Sequence, residues 1–291
     1  MRARWLPIAA CLIMTGALVL SCGTEKQAIV VGSKNFTESV LLGEIVAARL
    51  ESAGCSVERR LNMGGTLVCD TAIRSGAIDA YVEYSGTALT AILKRPASSE
   101  RASVNRLVTL EYSKSGLHWG PALGFNNTFA MLVRQSDAER LGLLRISDLL
   151  KVASTFQPGF GYEFAERPDG WRGLLRTYGL AFAKQPKTMD LGLTYKALAA
   201  GEVDLIAGNS TDGLIESLHL VALHDDRFYF PPYEAAVVYR RDIDRKCRDA
   251  SRVLESLGTS IDDAVMRRLN FEVDGKKRPV GEVAREFLRG K

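Results

Sequence analysis

The stretch AIRSGAIDAYVEYSGT, starting at Ala72, returns in altered form as ALAAGEVDLIAGNSTD, starting at Ala197. Each copy holds a helix end, a glycine, an Ile/Val-Asp pair and a short strand running into small polar residues. Glycine suits the helix exit because it tolerates positive φ, and the aspartate stands where the next strand begins. A chain that builds this unit twice, about 125 residues apart, fits two similar α/β lobes better than one continuous sheet. Ligands of open α/β sheets gather beyond the carboxyl ends of the strands. Tyr84, Ser85 and Thr87 of one copy and Asn209, Ser210, Thr211 and Asp212 of the other are therefore expected to line opposite walls of one cleft. The alternative is that Tyr81 and Tyr84 only close over the core, with their hydroxyls in water.

The rest of the chain fits an α/β pattern of short β-branched runs between amphipathic helices. AIVVG reads as a buried strand, and the helix after it is expected to begin with a capping box of Asn35 and Glu38 and to end at Gly54. Val40, Leu41, Ile45 and Ala48 recur at helical spacing in it. LGFNNTFAMLVR, with a polar turn at Asn126 and Asn127, and FPPYEAAVVYRR, with a stiff Pro231-Pro232 pair, read as two crossings between lobes. Residues 28–126 and 232–291 would form one lobe and 127–231 the other. From Asp242 on the chain reads as helical, with Leu254, Leu257, Met266, Leu269 and Phe287 as core contacts.

The first 21 residues differ in kind. Arg2 and Arg4 precede an apolar run from Trp5 to Leu20, the pattern of a secretory signal rather than a membrane span. Its end, VLSC, resembles a bacterial lipobox, in which cleavage precedes a cysteine that receives lipid. Acyl chains on Cys22 would tether the protein to a membrane face; the plainer alternative is a signal peptide with an incidental cysteine. Without Arg2 and Arg4 the formal charge of +4 falls to +2. The charge is spread along the chain with no basic stripe, which argues against nucleic acid. Once Cys11 is cleaved away and Cys22 lipidated, Cys55, Cys69 and Cys247 remain. They read as structural thiols or as a Cys55–Cys69 bridge with one thiol left over. Neither they nor His118, His219 and His224 show metal-site spacing, and no cofactor is implied.

Enzyme signatures are missing: no GxSxG elbow, P-loop, HExxH or complete GxGxxG fingerprint occurs. Asp225 and Asp226 read as a solvated turn rather than an acid/base pair. What the chain does carry, in order, is VGSKNFTES, GGTLV, YVEYSGTA, LGFNNTFA, EFAERPDG, MDLGLTYKAL, STDG and FPPYEAAVV. This series closely resembles the substrate-binding proteins of bacterial osmoprotectant transporters of the glycine betaine, carnitine and choline type. The resemblance spans about residues 28 to 289. It implies a type II Venus-flytrap fold with a two-strand hinge, no enzymatic activity, and a monomer delivering ligand to an ATP-driven permease from the periplasm or outer cell surface.

A betaine joins a quaternary ammonium, which cannot donate a hydrogen bond, to a carboxylate. Aromatic faces suit the first and Lys or Arg the second, each well-placed ring contributing about 0.5–2 kcal/mol. Carried over by position, the resemblance implies that Lys34, Thr87 and Arg167 hold the anion and that Tyr84 and Tyr233 are two cage rings. The other two cage positions are Phe129, which keeps the π face, and Asn209, which does not. Asn127 and Asp212 are candidates for a supporting or hinge role, or are plain turn and cap residues. Asn209 opens the choice of ligand: glycine betaine held weakly, or a bulkier betaine such as ergothioneine whose extra polar group meets the amide. Two further readings are a ligand sensor for a signalling receptor and a secreted enzyme on the same fold.

Overall fold

The computed structural model describes residues 27–290. The segment 1–21 and Cys22, read above as an export signal and lipid anchor, lie outside the described residues. No helix among the described residues is long and apolar enough to cross a membrane.

In chain order the elements are β1 (Ile29–Gly32), α1 (Thr37–Ser52), β2 (Val57–Arg60), α2 (Thr66–Ser75), β3 (Ala80–Tyr84), the one-turn α3 (Ser85–Thr87), α4 (Arg101–Lys114) and β4 (Leu117–Asn126). There follow β5 (Phe129–Arg134), α5 (Gln135–Leu141), β6 (Pro158–Gly161), α6 (Tyr162–Glu166), α7 (Trp171–Tyr178), β7 (Lys187–Met189), α8 (Leu191–Ala199), β8 (Leu205–Asn209), α9 (Leu214–Ser217) and β9 (Leu220–Leu223). The chain ends with β10 (Glu234–Arg240), α10 (Ala250–Glu255), α11 (Asp263–Asp274) and α12 (Val280–Arg289).

Two five-stranded sheets result, ordered β2-β1-β3-β10-β4 and β7-β6-β8-β5-β9. They match strand for strand. In each, three parallel strands are followed by one antiparallel strand that enters directly from a crossing: β10 in the first sheet, β5 in the second. The molecule is thus an α/β protein of two lobes, each lobe's sheet completed by the strand that follows a crossing.

The repeat does the same work in both lobes. Gly76 and Gly201 leave their helices at φ of 78° and 75°, a region open to glycine without steric cost. Asp79 then accepts the Val30 backbone N–H at 2.7 Å, while Asp204 accepts that of Gln157 at 2.9 Å. Each aspartate so pins its strand to the parallel neighbour, and each is neutralised by a cation from the strand or turn completing the sheet: Lys246 at 2.7 Å and Arg134 at 2.6 Å. This recurring pair explains why the Ile/Val-Asp signal survives in both copies.

Helix α1 buries Leu41, Leu42, Ile45, Val46 and Leu50 between the first sheet and the C-terminal helices. Val40 and Ala48 are only partly buried. The expected capping box is not formed: Phe36 holds the N-cap position without a side-chain bond, and Glu38 turns inward to tertiary partners. Four buried donors offer a carboxylate more than one backbone N–H at the helix end. Leu254, Leu257, Met266 and Leu269 are buried, and Phe287 packs against the same core.

Docking of α10 on α1 brings Cys55 and Cys247 together as a disulfide with a Cα–Cα distance of 5.6 Å, leaving Cys69 free and buried. This overturns both sequence expectations, three thiols and a Cys55–Cys69 bridge. A pairing across 192 residues has no local signature.

The two crossings run side by side. The Asn127 N–H donates to Tyr233 O at 3.1 Å, and the Tyr233 N–H donates to Asn126 Oδ1 at 2.6 Å. Asp225 is not a solvated turn residue. It accepts the Tyr178 hydroxyl and the N–H groups of Tyr229 and Phe230, and so anchors the approach to the second crossing.

Candidate ligand-binding cleft

A cavity of about 1110 Å³ opens between the lobes, beyond the carboxyl ends of β1, β3, β6 and β8. Lys34, Tyr84, Thr87, Asn127, Phe129, Arg167, Asn209, Asp212 and Tyr233 all contribute to its wall. The cavity is slightly larger than the usual range for small-molecule sites, so it has room for more than a minimal betaine.

Its two inner cations are buried with carboxylate partners. Lys34 Nζ lies 2.5 Å from Glu83 Oε1, on a fully buried strand. Burial pushes the Glu83 carboxyl up, and the charge and hydrogen bond of Lys34 pull against it. Arg167 grips Asp169 through Nε at 2.9 Å and Nη2 at 2.6 Å, and its Nη1 donates to Thr87 Oγ1 at 3.0 Å across the cleft. Asp169 also accepts the hydroxyls of Tyr233 at 2.5 Å and Thr90 at 2.8 Å. Burial alone would raise the Asp169 carboxyl, but Arg167, with the hydroxyls, holds it below the usual carboxylate range.

The rings and cations interleave instead of standing at opposite ends. Arg167 Cζ lies 5.1 Å from the Phe129 ring centre and 5.7 Å from that of Tyr233, while Lys34 Nζ is 5.1 Å from Tyr84. Phe129 meets Tyr233 edge-on at 5.5 Å and Phe164 at 4.9 Å. Phe36 stands 6.2 Å from Tyr84. With its own charges balanced by buried carboxylates, the cleft holds its cations ready without a large unpaired field.

On the second lobe, strand register sets Asn209 opposite Phe129. The Asn209 N–H donates to Asp212 Oδ2 at 3.0 Å, and the Tyr195 hydroxyl donates to the same oxygen. Desolvation, with like charge from Glu38 and Asp274, raises the Asp212 carboxyl to about 7. Between the ordinary 3.8 and about 7 the folded protein keeps a proton that the unfolded chain has lost, so stability falls as pH rises through this window and levels off above it. Asp212→Asn removes that titration. Its melting temperature should gain on the wild type between about pH 5 and about pH 8, by several degrees; an equal difference at both pH values would mean an ordinary carboxylate.

Several residues of the site escaped the sequence reading: Phe36, Phe164 and Tyr195 in the wall, and Glu83 and Asp169 behind it as partners of Lys34 and Arg167. Two had a signal available. Glu83 is a charge inside an otherwise apolar strand, and such a group is buried only with a partner. Asp169 stands two residues after Arg167 in one motif. The rings of Phe164 and Tyr195 reach the cavity only through the packing of α6 and α8.

A two-lobed α/β fold, joined by paired crossings and closed on a cleft of rings and balanced charges, defines a binding protein of the flytrap class. Residues 27–290 match the family described as the substrate-binding domain of ABC-type glycine betaine transport systems, OpuAC, and the chain belongs to that family. It is 33% identical to a glycine-betaine-binding protein of Pseudomonas aeruginosa, over 91% of this chain and 88% of that protein. It is 32% identical to the ergothioneine transport permease/ergothioneine binding protein EgtU of Helicobacter pylori, over 91% of this chain; the chain spans only about half, 48%, of that longer protein. A solved structure described as a glycine betaine/carnitine/choline ABC transporter superimposes with a TM-score of 0.74 at 28% identity, covering 90% of this chain and 98% of that one.

Proposed function

We propose that this protein captures a quaternary-ammonium zwitterion and presents it to an ABC permease. The observation that carries the reading is the gathering of Tyr84, Phe129 and Tyr233 with Lys34, Thr87 and Arg167 around one cavity. The ring faces would hold the ammonium by cation–π attraction. Arg167 has five N–H donors; two go to Asp169, one to Thr87 and one to Thr90, so the second Nη1 hydrogen is left for a ligand carboxylate. Thr87 accepts from Arg167 and therefore has its own hydroxyl hydrogen to offer the same carboxylate.

With 28–126 and 232–291 moving against 127–231, a ligand touching both walls favours the closed form, and that shape is what the permease would recognise. The Thr66 N–H already meets Glu163 across the cleft at 2.7 Å. Partners would be a permease and its ATPase, with the protein a monomer tethered through lipid on Cys22. The family role is binding rather than turnover, so no catalytic residue is assigned.

A second reading rests on Asn209. With an amide where a fourth ring would stand, and Asp212 beside it, the cavity suits a bulkier betaine with an added polar group, such as ergothioneine. A calorimetric screen of glycine betaine, choline, carnitine, proline betaine and ergothioneine decides between them; no heat from any of the five rejects the zwitterion reading. Asn209→Tyr, which restores the ring, should tighten glycine betaine by about 1 kcal/mol, roughly fivefold, and weaken ergothioneine. The opposite ranking would place the ammonium elsewhere.

A further inference from the structure

Glu38 sits in the first turn of α1, is 1% exposed, and lies behind the cavity wall. Every donor to its carboxylate is neutral. Oε1 accepts the Tyr84 hydroxyl and Asn127 Nδ2, both at 2.7 Å; Oε2 accepts the Thr211 hydroxyl at 2.5 Å and Asn270 Nδ2 at 2.8 Å. A carboxylate has about four lone-pair sites, and all are filled.

The four donors come from four places in the fold. Tyr84 ends β3 and carries a ring of the cleft; Asn127 lies in the first crossing; Thr211 follows β8 in the second lobe; Asn270 belongs to α11. Asn270 also donates to Thr211 O at 2.9 Å, which ties the C-terminal helix to the second lobe. One side chain thereby joins both lobes, a crossing and a wall ring.

Two further atoms show that the carboxylate governs this cluster. Asn127 Oδ1 and Asn270 Oδ1 are buried and have no partner among the described residues. An unpaired buried acceptor is unfavourable. Turning either amide would set its oxygen against the Glu38 carboxylate, which only accepts, so both amides stay with nitrogen inward.

We propose that Glu38 is a positioning residue that couples the orientation of the Tyr84 ring to the relative placement of the lobes. Ligand affinity is then set in part by Thr211 and Asn270, which lie outside the cavity wall. This inference rests on the reading of the cleft as the binding site.

The test uses Glu38→Gln, which keeps shape but replaces one accepting oxygen with a donor, and Thr211→Val, which removes only the second-lobe hydroxyl. With glycine betaine and ergothioneine as probes, Glu38→Gln should weaken the tighter one at least tenfold and Thr211→Val about fivefold. The double variant should be no weaker than Glu38→Gln alone. Ligand-free small-angle scattering should show both variants with an altered lobe arrangement while far-UV circular dichroism stays that of the wild type. Wild-type affinity in both variants, or losses that simply multiply in the double variant, overturns the coupling. Failure of the wild type to bind either probe counts against the zwitterion reading instead, and unchanged ligand-free scattering would then by itself overturn the role of Glu38.

Discussion

Arg167→Ala should abolish zwitterion binding in calorimetry and lower stability by about 3–5 kcal/mol, because it leaves Asp169 buried without its cation. Asp169 is 1% exposed, and the hydroxyls of Tyr233 and Thr90 cannot balance its charge. The melting temperature should drop by on the order of ten degrees. The two effects have separate origins, and a second change separates them. Adding Asp169→Ala removes the stranded charge and should recover much of the stability, whereas binding stays lost because the ligand carboxylate still lacks the guanidinium. Arg167→Lys keeps a charge but not the planar two-point grip, and should fall between. Retention of wild-type affinity in Arg167→Ala would mean that the ligand's anion is held elsewhere. The Asp169 carboxyl is held low in the folded state, so the pair's contribution is present at neutral pH and lost as pH falls through the folded value.

Breaking the Cys55–Cys247 bridge should cost about 2–5 kcal/mol, since the link closes a long loop and removes much freedom from the unfolded chain. Reductant, or Cys55→Ser, should therefore lower the melting temperature markedly. Neither cysteine lines the cavity, so affinity below the transition should hardly change. Thiol titration of unreduced, unfolded protein should find one reactive thiol from residues 27–290, Cys69. Three would show that the bridge does not form. A disulfide of this kind also fits a protein that works outside the reducing cytosol.

The contrast between Asp79 and Glu38 shows what a linear reading can see. Asp79 serves its own strand and the next one over, so its role repeats at Asp204 and leaves a pattern. Glu38 has the spacing of a helix cap, and that local role was the natural expectation. Its actual donors, Thr211 and Asn270, lie 173 and 232 residues away and leave no mark near it. The cysteines fail to declare themselves for the same reason: Cys69 is nearer to Cys55 in sequence, yet Cys247 is nearer in space.

Tyr84, Thr87, Asn209 and Asp212 were legible because they cluster at strand ends, where a repeated α/β unit must place them, whereas Lys34, Phe129, Arg167 and Tyr233 came only with the family resemblance. Their arrangement was not legible. Rings were assigned to a ligand's ammonium and cations to its carboxylate, whereas the structure sets Arg167 against Phe129 and Tyr233 and supplies a buried counter-ion to each inner cation.

By itself the sequence determined the two-lobed α/β plan and the polar residues at its two repeated strand ends, because these follow from short-range periodicity and from glycine and aspartate at the helix-to-strand turns. Only the tertiary structure decided the disulfide partner, the inward turn of Glu38 and the charge balance around Lys34 and Arg167. Those depend on which distant groups desolvate one another, and the free energy of a buried charge is set by neighbours in space rather than neighbours along the chain.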